Sequence, residues 1–220
     1  MIDAVVKIGG SLARGGDLGA LCATLAEVGR THGVLVVPGG GAFADVVREH
    51  DRRFQLSDSA AHWMAILAMD QYAYLLADLI PASRLVRDIE AARTTMAKGV
   101  VPVLAPFELI WSEDVLPHTW AVTSDSLAAW IATHAQASLL VLVKDGNGMS
   151  RVPEELRAAV GQRVAANELA TWGLVDGYLS SMLERASYDL WIVNGELPER
   201  LAELLETGQT IGIRHRRSAP

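Results

Sequence analysis

The sequence predicts an α/β fold, a three-layer sandwich in which helices cover both faces of a central, mostly parallel sheet. Short apolar runs, each followed by a turn signal and a helical pattern, recur along the chain, and this alternation is typical of a parallel sheet. Several runs are apolar at successive positions instead of alternate ones, as expected for strands that are covered on both faces.

The predicted strands are six short runs rich in Val, Ile and Leu. They span residues 4–8, 33–37, 84–86, 100–104, 138–143 and 190–193. Between them, residues 17–32 carry apolar side chains at helical spacing, and residues 57–80 have the pattern of one long helix or two joined ones. Both helical segments are expected to pack against the sheet.

Length and charge favour a single acidic domain over residues 1–220. Half of the residues (50%) are hydrophobic, and 19 Lys and Arg against 26 Asp and Glu give a formal net charge of −7. A chain of this length that folds around one core buries most of the surface that its unfolded form exposes. The acidic balance argues against nucleic acid as a partner, since its binding normally needs clustered basic residues. The one basic cluster, residues 214–217, is expected to be a solvated tail.

The sequence favours a cytoplasmic location. The single cysteine, Cys22, excludes an intramolecular disulfide and a cysteine-based zinc site. The first residues lack the features of a signal peptide, and the longest apolar runs are shorter than the roughly 18 residues that a membrane-spanning helix needs. No membrane partner is therefore expected.

The first candidate site segment is a buried strand that reaches Lys7 and then breaks at Gly9 and Gly10 before Ser11. A charge near a core is costly unless it is paired or used. Glycines let the backbone approach a ligand, and amide groups ahead of a helix favour an anion. The segment therefore predicts an anion site with Lys7 as its positive charge. The alternative is an ordinary turn after a lysine whose ammonium group reaches solvent.

The second segment is a strand followed by Gly39, Gly40 and Gly41 and then a helical pattern. Three consecutive glycines indicate that backbone amides come close to a ligand, and phosphate is the natural candidate. Gly39, Gly41 and Ala44 also fit the looser dinucleotide pattern G-x-G-x-x-A. That pattern follows the first strand of its unit, whereas a whole strand and helix precede this turn. No Walker A pattern occurs, which excludes a P-loop enzyme.

The third segment opens a helix with Thr123, Ser124 and Asp125. A hydroxyl here can cap the helix and an acid in the first turn complements the helix dipole, so a structural role is one alternative. The functional alternative places Asp125 beside the two glycine turns. There it would hold Mg²⁺ or orient lysines around a phosphoryl group in transfer.

Together, the three segments resemble the amino acid kinase family. The match is Val-Lys-Ile-Gly-Gly-Ser at residues 6–11, Val-Pro-Gly-Gly-Gly-Ala at 37–42 and Thr-Ser-Asp-Ser-Leu-Ala at 123–128, in the family's order and rough spacing. The resemblance covers nearly the whole chain. It implies the fold of that family, with an acceptor half at about residues 1–120 and a nucleotide half at about residues 121–220.

Within the family, residues 68–72 and 118–125 are most similar to the branch of [5-(aminomethyl)furan-3-yl]methyl phosphate kinases of methanofuran biosynthesis. The resemblance therefore implies an ATP-dependent, Mg²⁺-using kinase of one-carbon metabolism that converts this phosphate monoester to a diphosphate. The same chemistry on uridylate or isopentenyl phosphate stays open. So does a non-catalytic nucleotide- or phosphate-binding protein on the same scaffold.

Carried over to this sequence, the resemblance implies that Lys7 and Asp125 are catalytic. Lys7 would stabilise the moving phosphoryl group, and Asp125 would organise the lysine or hold the metal. Phosphoryl transfer needs mainly positioning and electrostatic stabilisation, which such groups supply. The implied ATP contacts are Gly9, Gly10, Ser11, Lys144, Asp145, Gly146 and Gly148, and the implied acceptor contacts are Gly39, Gly40, Gly41, Phe43 and Ser124.

The nucleotide half departs from the family pattern. Many members carry a Gly-Gly-Met turn with a downstream lysine there, whereas this chain has residues 172–179 in that place and no lysine after Lys144. Lys144, at the end of a predicted strand, is the best substitute, and its alternative is a surface turn. Asp176 is a further candidate, which would replace the missing cation by holding a second Mg²⁺.

Two further expectations concern the acceptor pocket and the assembly. His62 and His118, close to tryptophans in the sequence, can line the acceptor pocket, although a lone histidine is more often a core residue. The resemblance implies a homo-oligomer, a dimer or hexamer, and the apolar residues 57–80 can supply its interface.

Overall fold

The structure, a computed structural model, describes residues 1–15 and 18–215, and these form eight strands of one sheet. The strands are β1 Ala4–Ile8, β2 Val34–Pro38, β3 Ser83–Val86, β4 Val101–Leu104, β5 Leu139–Lys144, β6 Gln162–Arg163, β7 Asp189–Asn194 and β8 Ile213–His215. Their order from edge to edge is β3-β4-β2-β1-β5-β7-β8-β6. Neighbouring strands run parallel except β7 and β8, which are antiparallel.

The helices connect these strands. They are α1 Leu18–Val28, α2 Gly41–Phe54, α3 Asp58–Leu79, α4 Ile89–Met96, α5 Phe107–Glu113, α6 Ser124–His134, α7 Gly146–Met149, α8 Glu154–Arg157, α9 Ala166–Thr171, α10 Gly177–Leu183 and α11 Glu199–Thr207. A 3₁₀ helix at Gly10–Ala13 follows β1. Across residues 1–15 and 18–215, no helix is both long and apolar enough to cross a membrane.

Two cores lie on opposite faces of the sheet. Every residue of β1 and β2 is buried, and alternate side chains enter different cores: Val5 joins one, whereas Val6 and Ile8 join the other. Helices α1 and α11 cover the Val6 face, while α4, α5, α6, α9 and α10 cover the Val5 face. Helix α3 contributes to both. The predicted three-layer α/β sandwich is confirmed.

The six predicted strands are all present, with ends that differ by one residue at most. Residues 57–80 form the single helix α3, which Ser57 caps by accepting a hydrogen bond from the Ala60 N–H at 3.3 Å. The predicted end of the first helix at His32 is wrong, since α1 ends at Val28. Its predicted start at Asp17 lies outside the described residues.

The sequence analysis missed β6 and β8, which have two and three residues and carry Gln, Arg and His. For Arg214, in β8, the expectation of a solvated tail is wrong. Its guanidinium pairs with Asp189 at 2.5 Å and lies 5.4 Å from the Trp191 ring centroid. The rest of that basic cluster, Arg216 and Arg217, lies outside the described residues. Since one sheet runs through both halves of the chain, the division near residue 120 stays a prediction.

Candidate active site

The candidate site lies where the carboxyl ends of β1, β2 and β5 meet. Lys7 in β1 is in register with Val37 of β2 on one side and Leu142 of β5 on the other. The glycine turns and the Lys144 turn begin immediately beyond this level, so the chain segments singled out from the sequence converge at one edge. Ligands of open parallel sheets bind at this kind of edge.

Three charged side chains form the centre of the site. The Lys7 Nζ donates a hydrogen bond to Asp125 Oδ1 at 2.9 Å, and the Lys144 Nζ donates to Asp125 Oδ2 at 2.5 Å. Lys7 and Asp125 are each only 4% exposed. Two ammonium groups therefore share one carboxylate, which leaves a net positive charge beside the glycine turns.

Burial and charge pairing set the protonation of this cluster. Burial lowers the pKa of Lys7, although the Asp125 carboxylate opposes this effect. Burial by itself would raise the pKa of Asp125, but Lys144 and Lys7 outweigh burial and hold that pKa well below its usual range. Asp125 is therefore ionised at neutral pH. Its charge offsets the repulsion that would otherwise separate the two lysines.

The start of α6 positions Asp125. The Thr123 Oγ1 caps the helix by accepting a hydrogen bond from the Asp125 N–H at 3.3 Å. The Asp176 carboxylate, which caps α10, accepts from the N–H and Oγ1 of Thr123 at 3.1 and 2.6 Å and from the Ser126 N–H at 3.1 Å. It also accepts from Ser126 Oγ and from the Leu179 N–H. Asp176 thus joins the N-terminal ends of two helices beneath the site.

This network corrects the prediction that Asp176 holds a second Mg²⁺. Its carboxylate accepts five hydrogen bonds, whereas a carboxylate has about four lone-pair sites, so no lone pair remains for a metal. Within residues 1–15 and 18–215, no group of three or more His, Cys, Asp or Glu side chains could hold a metal ion. Asp125 keeps one lone pair on each oxygen beyond its lysine contacts, and Mg²⁺ at Asp125 stays a prediction.

The two glycine turns pack directly against each other. A Cβ at Gly10 would lie 2.1 Å from the Gly41 nitrogen, so a side chain there would push the turns apart. Gly41 has a φ of +57°, which favours glycine. The N–H groups of Gly10, Gly40 and Gly41 have no acceptor within the described part of the chain. Successive N–H groups of this kind can bind an anion, so phosphate binding at the glycine turns stays a prediction.

Gly9 and Gly39, predicted as ligand contacts, have structural partners instead. The Gly9 N–H donates to the Val143 carbonyl at 2.9 Å, and the Gly39 N–H donates to the Ile8 carbonyl at 2.8 Å. A Cβ at Gly9 would lie 2.8 Å from the same Val143 oxygen. These glycines permit close strand contacts, and their amides are not available to a phosphate.

A cavity that is open to solvent lies beside the second glycine turn. It is bounded by α2, α3 and the segment that leads into α6. Residues that line it include Gly40, Ala44, Arg48, Asp58, His62, Met69, Trp120 and Ser124. Gly40 and Ser124 are where the acceptor prediction places them. The sequence analysis missed Arg48, which follows Gly40 and Ala44 at successive spacings of four residues, a spacing that puts all three on one helix face.

The structure does not place Phe43, a predicted acceptor contact, in this cavity. Phe43 is 37% exposed and does not line the cavity. It precedes Ala44 by one residue, and successive residues of an α-helix are rotated by about 100°. Its ring therefore points away from the face that Ala44 and Arg48 present.

A second opening lies beyond the carboxyl ends of β5 and β7. It is lined by Gly146, Asn194, Arg157 and Arg200 among others, and Asn194 is the register partner of Lys144. The sequence analysis missed both arginines because they lie on helices distant in sequence. Ser124, which precedes Asp125, lines the first opening, and Gly146, two residues after Lys144, lines the second.

The remaining predicted ATP contacts lie at the same edge. Asp145 caps α7 by accepting a hydrogen bond from the Gly148 N–H at 2.7 Å, so this carboxylate shapes the turn around Gly146. Ser11 is exposed at the start of the 3₁₀ helix. Gly146 is the member of this set that lines the second opening.

The two histidines differ in their surroundings. His118 is held by Ser59 Oγ at its Nδ1 and by Asp114 Oδ1 at its Nε2, both at 2.8 Å. His62 lines the cavity, is 7% exposed and stacks on His118 with ring centroids 4.4 Å apart. Its Nε2 is buried without a hydrogen-bond partner. Burial, helped by His118, lowers the pKa of His62 to about 4.

Comparisons with known proteins agree with this geometry. Residues 4–186 match the model of the amino acid kinase family. The [5-(aminomethyl)furan-3-yl]methyl phosphate kinase of Methanocaldococcus jannaschii is 30% identical over 207 residues, 92% of each chain. Among solved structures, the uridylate kinase of Archaeoglobus fulgidus matches with a TM-score of 0.72 and 21% identity, over 97% of this chain and 100% of that one. The UMP kinase of Ureaplasma parvum matches with a TM-score of 0.71 and 16% identity, over 98% and 99%.

Proposed function

Because this chain belongs to the amino acid kinase family, we propose that it transfers the γ-phosphoryl group of ATP to [5-(aminomethyl)furan-3-yl]methyl phosphate, giving the diphosphate. The observation that carries the proposal is the buried Lys7–Asp125–Lys144 cluster at a sheet edge where chain neighbours of Asp125 and Lys144 line two separate openings. One opening suits the acceptor and the other the nucleotide. The named relative supports the choice of acceptor.

In the proposed reaction, an oxygen of the acceptor phosphate attacks the γ-phosphorus of ATP, and the bond from that phosphorus to the bridging oxygen of ADP breaks. The nucleophile is already ionised, so no general base is needed. The main obstacle is repulsion between two polyanions. The ammonium groups of Lys7 and Lys144 reduce it, and Asp125 holds both in place without moving during the reaction.

The residues at the proposed acceptor side and at the proposed nucleotide side both suit phosphate groups. On the acceptor side, the N–H groups of Gly40 and Gly41 have no acceptor in the described part of the chain and can bind a phosphate beside Lys7. On the nucleotide side, Lys144 and Arg200 supply positive charge next to Gly146 and Asn194. Mg²⁺, when bound with ATP, would add charge neutralisation at the β- and γ-phosphates, with Asp125 as the protein group able to face it.

The proposal keeps the expected homo-oligomer. Helix α3 exposes Met64, Leu67 and Tyr74 at 37%, 43% and 56% of their surfaces. Apolar side chains of this size on one long helix favour association of copies of the chain. Light scattering on a size-exclusion column tests it: a dimer or hexamer mass is expected, and a monomer at micromolar concentration would contradict it. The cytoplasm, where ATP is plentiful, stays the proposed location.

Phosphorus NMR of the purified protein with ATP and Mg²⁺ tests the proposed reaction. Three acceptors are compared in separate samples: the aminomethylfuran phosphate, uridine monophosphate and isopentenyl phosphate. We expect a new diphosphate signal with the first acceptor and equal loss of ATP. A diphosphate formed only from another acceptor would replace the substrate in the proposal. Intact ATP in all three samples would contradict the proposed acceptors and favour a phosphate-binding protein.

A further inference from the structure

His62 is an anomaly in the acceptor cavity. It is 7% exposed and lines the cavity, yet its Nε2 is buried with no hydrogen-bond partner in the described part of the chain. A buried polar atom without a partner costs free energy, so such atoms usually have a use. The low pKa of His62, about 4, keeps the imidazole neutral, and a neutral ring has one nitrogen that accepts a hydrogen bond.

The two ends of the cavity differ in charge. At the glycine end, Gly40 lines the cavity and its N–H group has no acceptor in the described part of the chain. Further along α2, Arg48 also lines the cavity; its guanidinium lies over the Trp120 ring and pairs with Asp45, with 3.0 Å between Nη1 and Oδ1.

The opposite end is acidic. Asp58, in the first turn of α3, lines the cavity one helical turn before His62. The negative charge of Asp114 is near enough to oppose the lowering of the His62 pKa. A cavity with unpaired amides at one end, an arginine along its wall and a carboxylate at the other end matches a zwitterion that carries a phosphate and an ammonium group.

The dimensions of the cavity also fit such a molecule. Met69 and His62 both line it from α3, and seven residues of an α-helix span about 10 Å. A five-membered ring with a methyl phosphate on one side and an aminomethyl group on the other has this length. Between the two ends, the Trp120 ring lines the cavity and is held by the hydrogen bond from its Nε1 to Asp51 Oδ2 at 2.7 Å. The Arg48 guanidinium covers one face of this ring, 5.0 Å from its centroid, so a furan ring would contact the part of Trp120 that borders the cavity.

We propose that His62 is a specificity-determining residue, which accepts a hydrogen bond from the ammonium group of the acceptor while its phosphate lies at the glycine end. The inference rests on the proposed function and names the group by which the acceptor is recognised. It separates this acceptor from uridylate and isopentenyl phosphate, which carry no primary ammonium group. Asp58 supports the same end by its charge.

The test compares two acceptors, the aminomethylfuran phosphate and an analogue with a methyl group in place of the aminomethyl group. We expect the unaltered chain to prefer the amine in kcat/KM. H62L should reduce that preference by at least about tenfold, the effect of losing one hydrogen bond to a charged group. H62Q, which keeps an acceptor oxygen, should retain part of the preference. H134L, which changes an exposed histidine of α6, is the matched control and should leave the ratio unchanged.

The outcomes separate the inference from the proposed function. If the unaltered chain phosphorylates both acceptors equally, or if H62L and H62Q keep the full preference, the inference is overturned while the kinase function stands. If the unaltered chain phosphorylates neither acceptor, the proposed function fails and the inference fails with it. Circular dichroism of each variant confirms folding before the ratios are compared.

Discussion

Single residues determine the chemistry of this site through an imbalance of charge. Lys7 and Lys144 both pair with Asp125, so two positive charges meet one negative charge in a largely buried place. A fully balanced pair would attract a phosphate weakly. Here the surplus charge remains available, and its buried position means that water screens it little. Asp125 fixes both ammonium groups so that they do not have to reorganise when phosphoryl transfer begins.

The K7M substitution tests the catalytic role of Lys7. We expect turnover to fall by about 10²-fold or more, because a preorganised charge at the moving phosphoryl group is lost. The free energy of unfolding should change little, since Asp125 keeps its ion pair with Lys144 and Met fills most of the volume. K98M, at an exposed lysine outside the site, is the matched control. A folded K7M chain with full turnover would remove Lys7 from the mechanism.

The pH dependence of stability tests the ion pairs of Asp125. Its pKa in the folded chain lies below the unfolded value, so its contribution is present above about pH 4 and is lost as the pH falls through the folded pKa. At neutral pH, D125N should therefore unfold at a lower urea concentration than the unaltered chain. The difference between the two should shrink below about pH 4. A difference that is constant from neutral to acid pH would show that Asp125 does not carry this linkage.

Turns and helix ends place these residues. The two glycine turns meet at Gly10 and Gly41: the close approach leaves no room for a side chain at Gly10, and the φ of +57° favours glycine at position 41. The resulting backbone contact holds the N-terminal end of α2 beside β1. On the other side, Asp176 joins the starts of α6 and α10, so Asp125 is positioned by helices from distant parts of the chain. The site is therefore built from element ends, whose order along the sequence does not show which of them touch.

The G10A substitution tests the contact between the turns. A Cβ at this position would lie 2.1 Å from the Gly41 nitrogen, so the turns must separate. We expect a loss of about 1–3 kcal/mol in the free energy of unfolding, typical of overpacking, together with a lower kcat. G177A is the matched control, since a Cβ at Gly177 meets no atom within 4 Å. Equal urea midpoints and equal kcat for the two variants would contradict this account.

At the scale of the whole molecule, one sheet carries both openings at the same edge. Gly40, just after β2, lines the first cavity, and Gly146 and Asn194, at the ends of β5 and β7, line the second opening. Lys7 and Lys144 lie on the neighbouring strands β1 and β5, so in the proposed reaction the two substrates would meet at this boundary. Beyond β7 the sheet continues into the antiparallel strand β8, which closes the core on that side.

The I213A substitution tests whether the C-terminal strand belongs to the core. Ile213 is 0% exposed, and replacing a buried Ile by Ala costs about 2–5 kcal/mol. We expect a clear fall in the urea midpoint. V46A, at a residue that is 54% exposed, should change the free energy of unfolding by no more than about 0.5 kcal/mol. If both variants unfold at the same urea concentration, β8 contributes little to the core.

Several features of the fold and site could be predicted from the sequence because they depend on local patterns. Apolar runs revealed six of the strands, since strands covered on both faces are rich in apolar residues. Lys7, the glycine turns and Asp125 stood out because a charge or a glycine run at the end of a buried strand is costly without a use. The strands β6 and β8 could not be found in this way, since they have only two and three residues, most of them polar, and carry no periodic signal.

The sequence by itself determined the layered α/β architecture and the candidates for the charged centre, because burial and periodicity act over neighbouring residues. Only the tertiary structure decided which candidates share a contact. In the tertiary structure, the Asp176 carboxylate accepts five hydrogen bonds, Phe43 points away from the cavity, and Arg48 and His62 line the cavity. These outcomes depend on how helices far apart in sequence pack side by side, and the rotation of each helix about its axis decides which side chains reach the site.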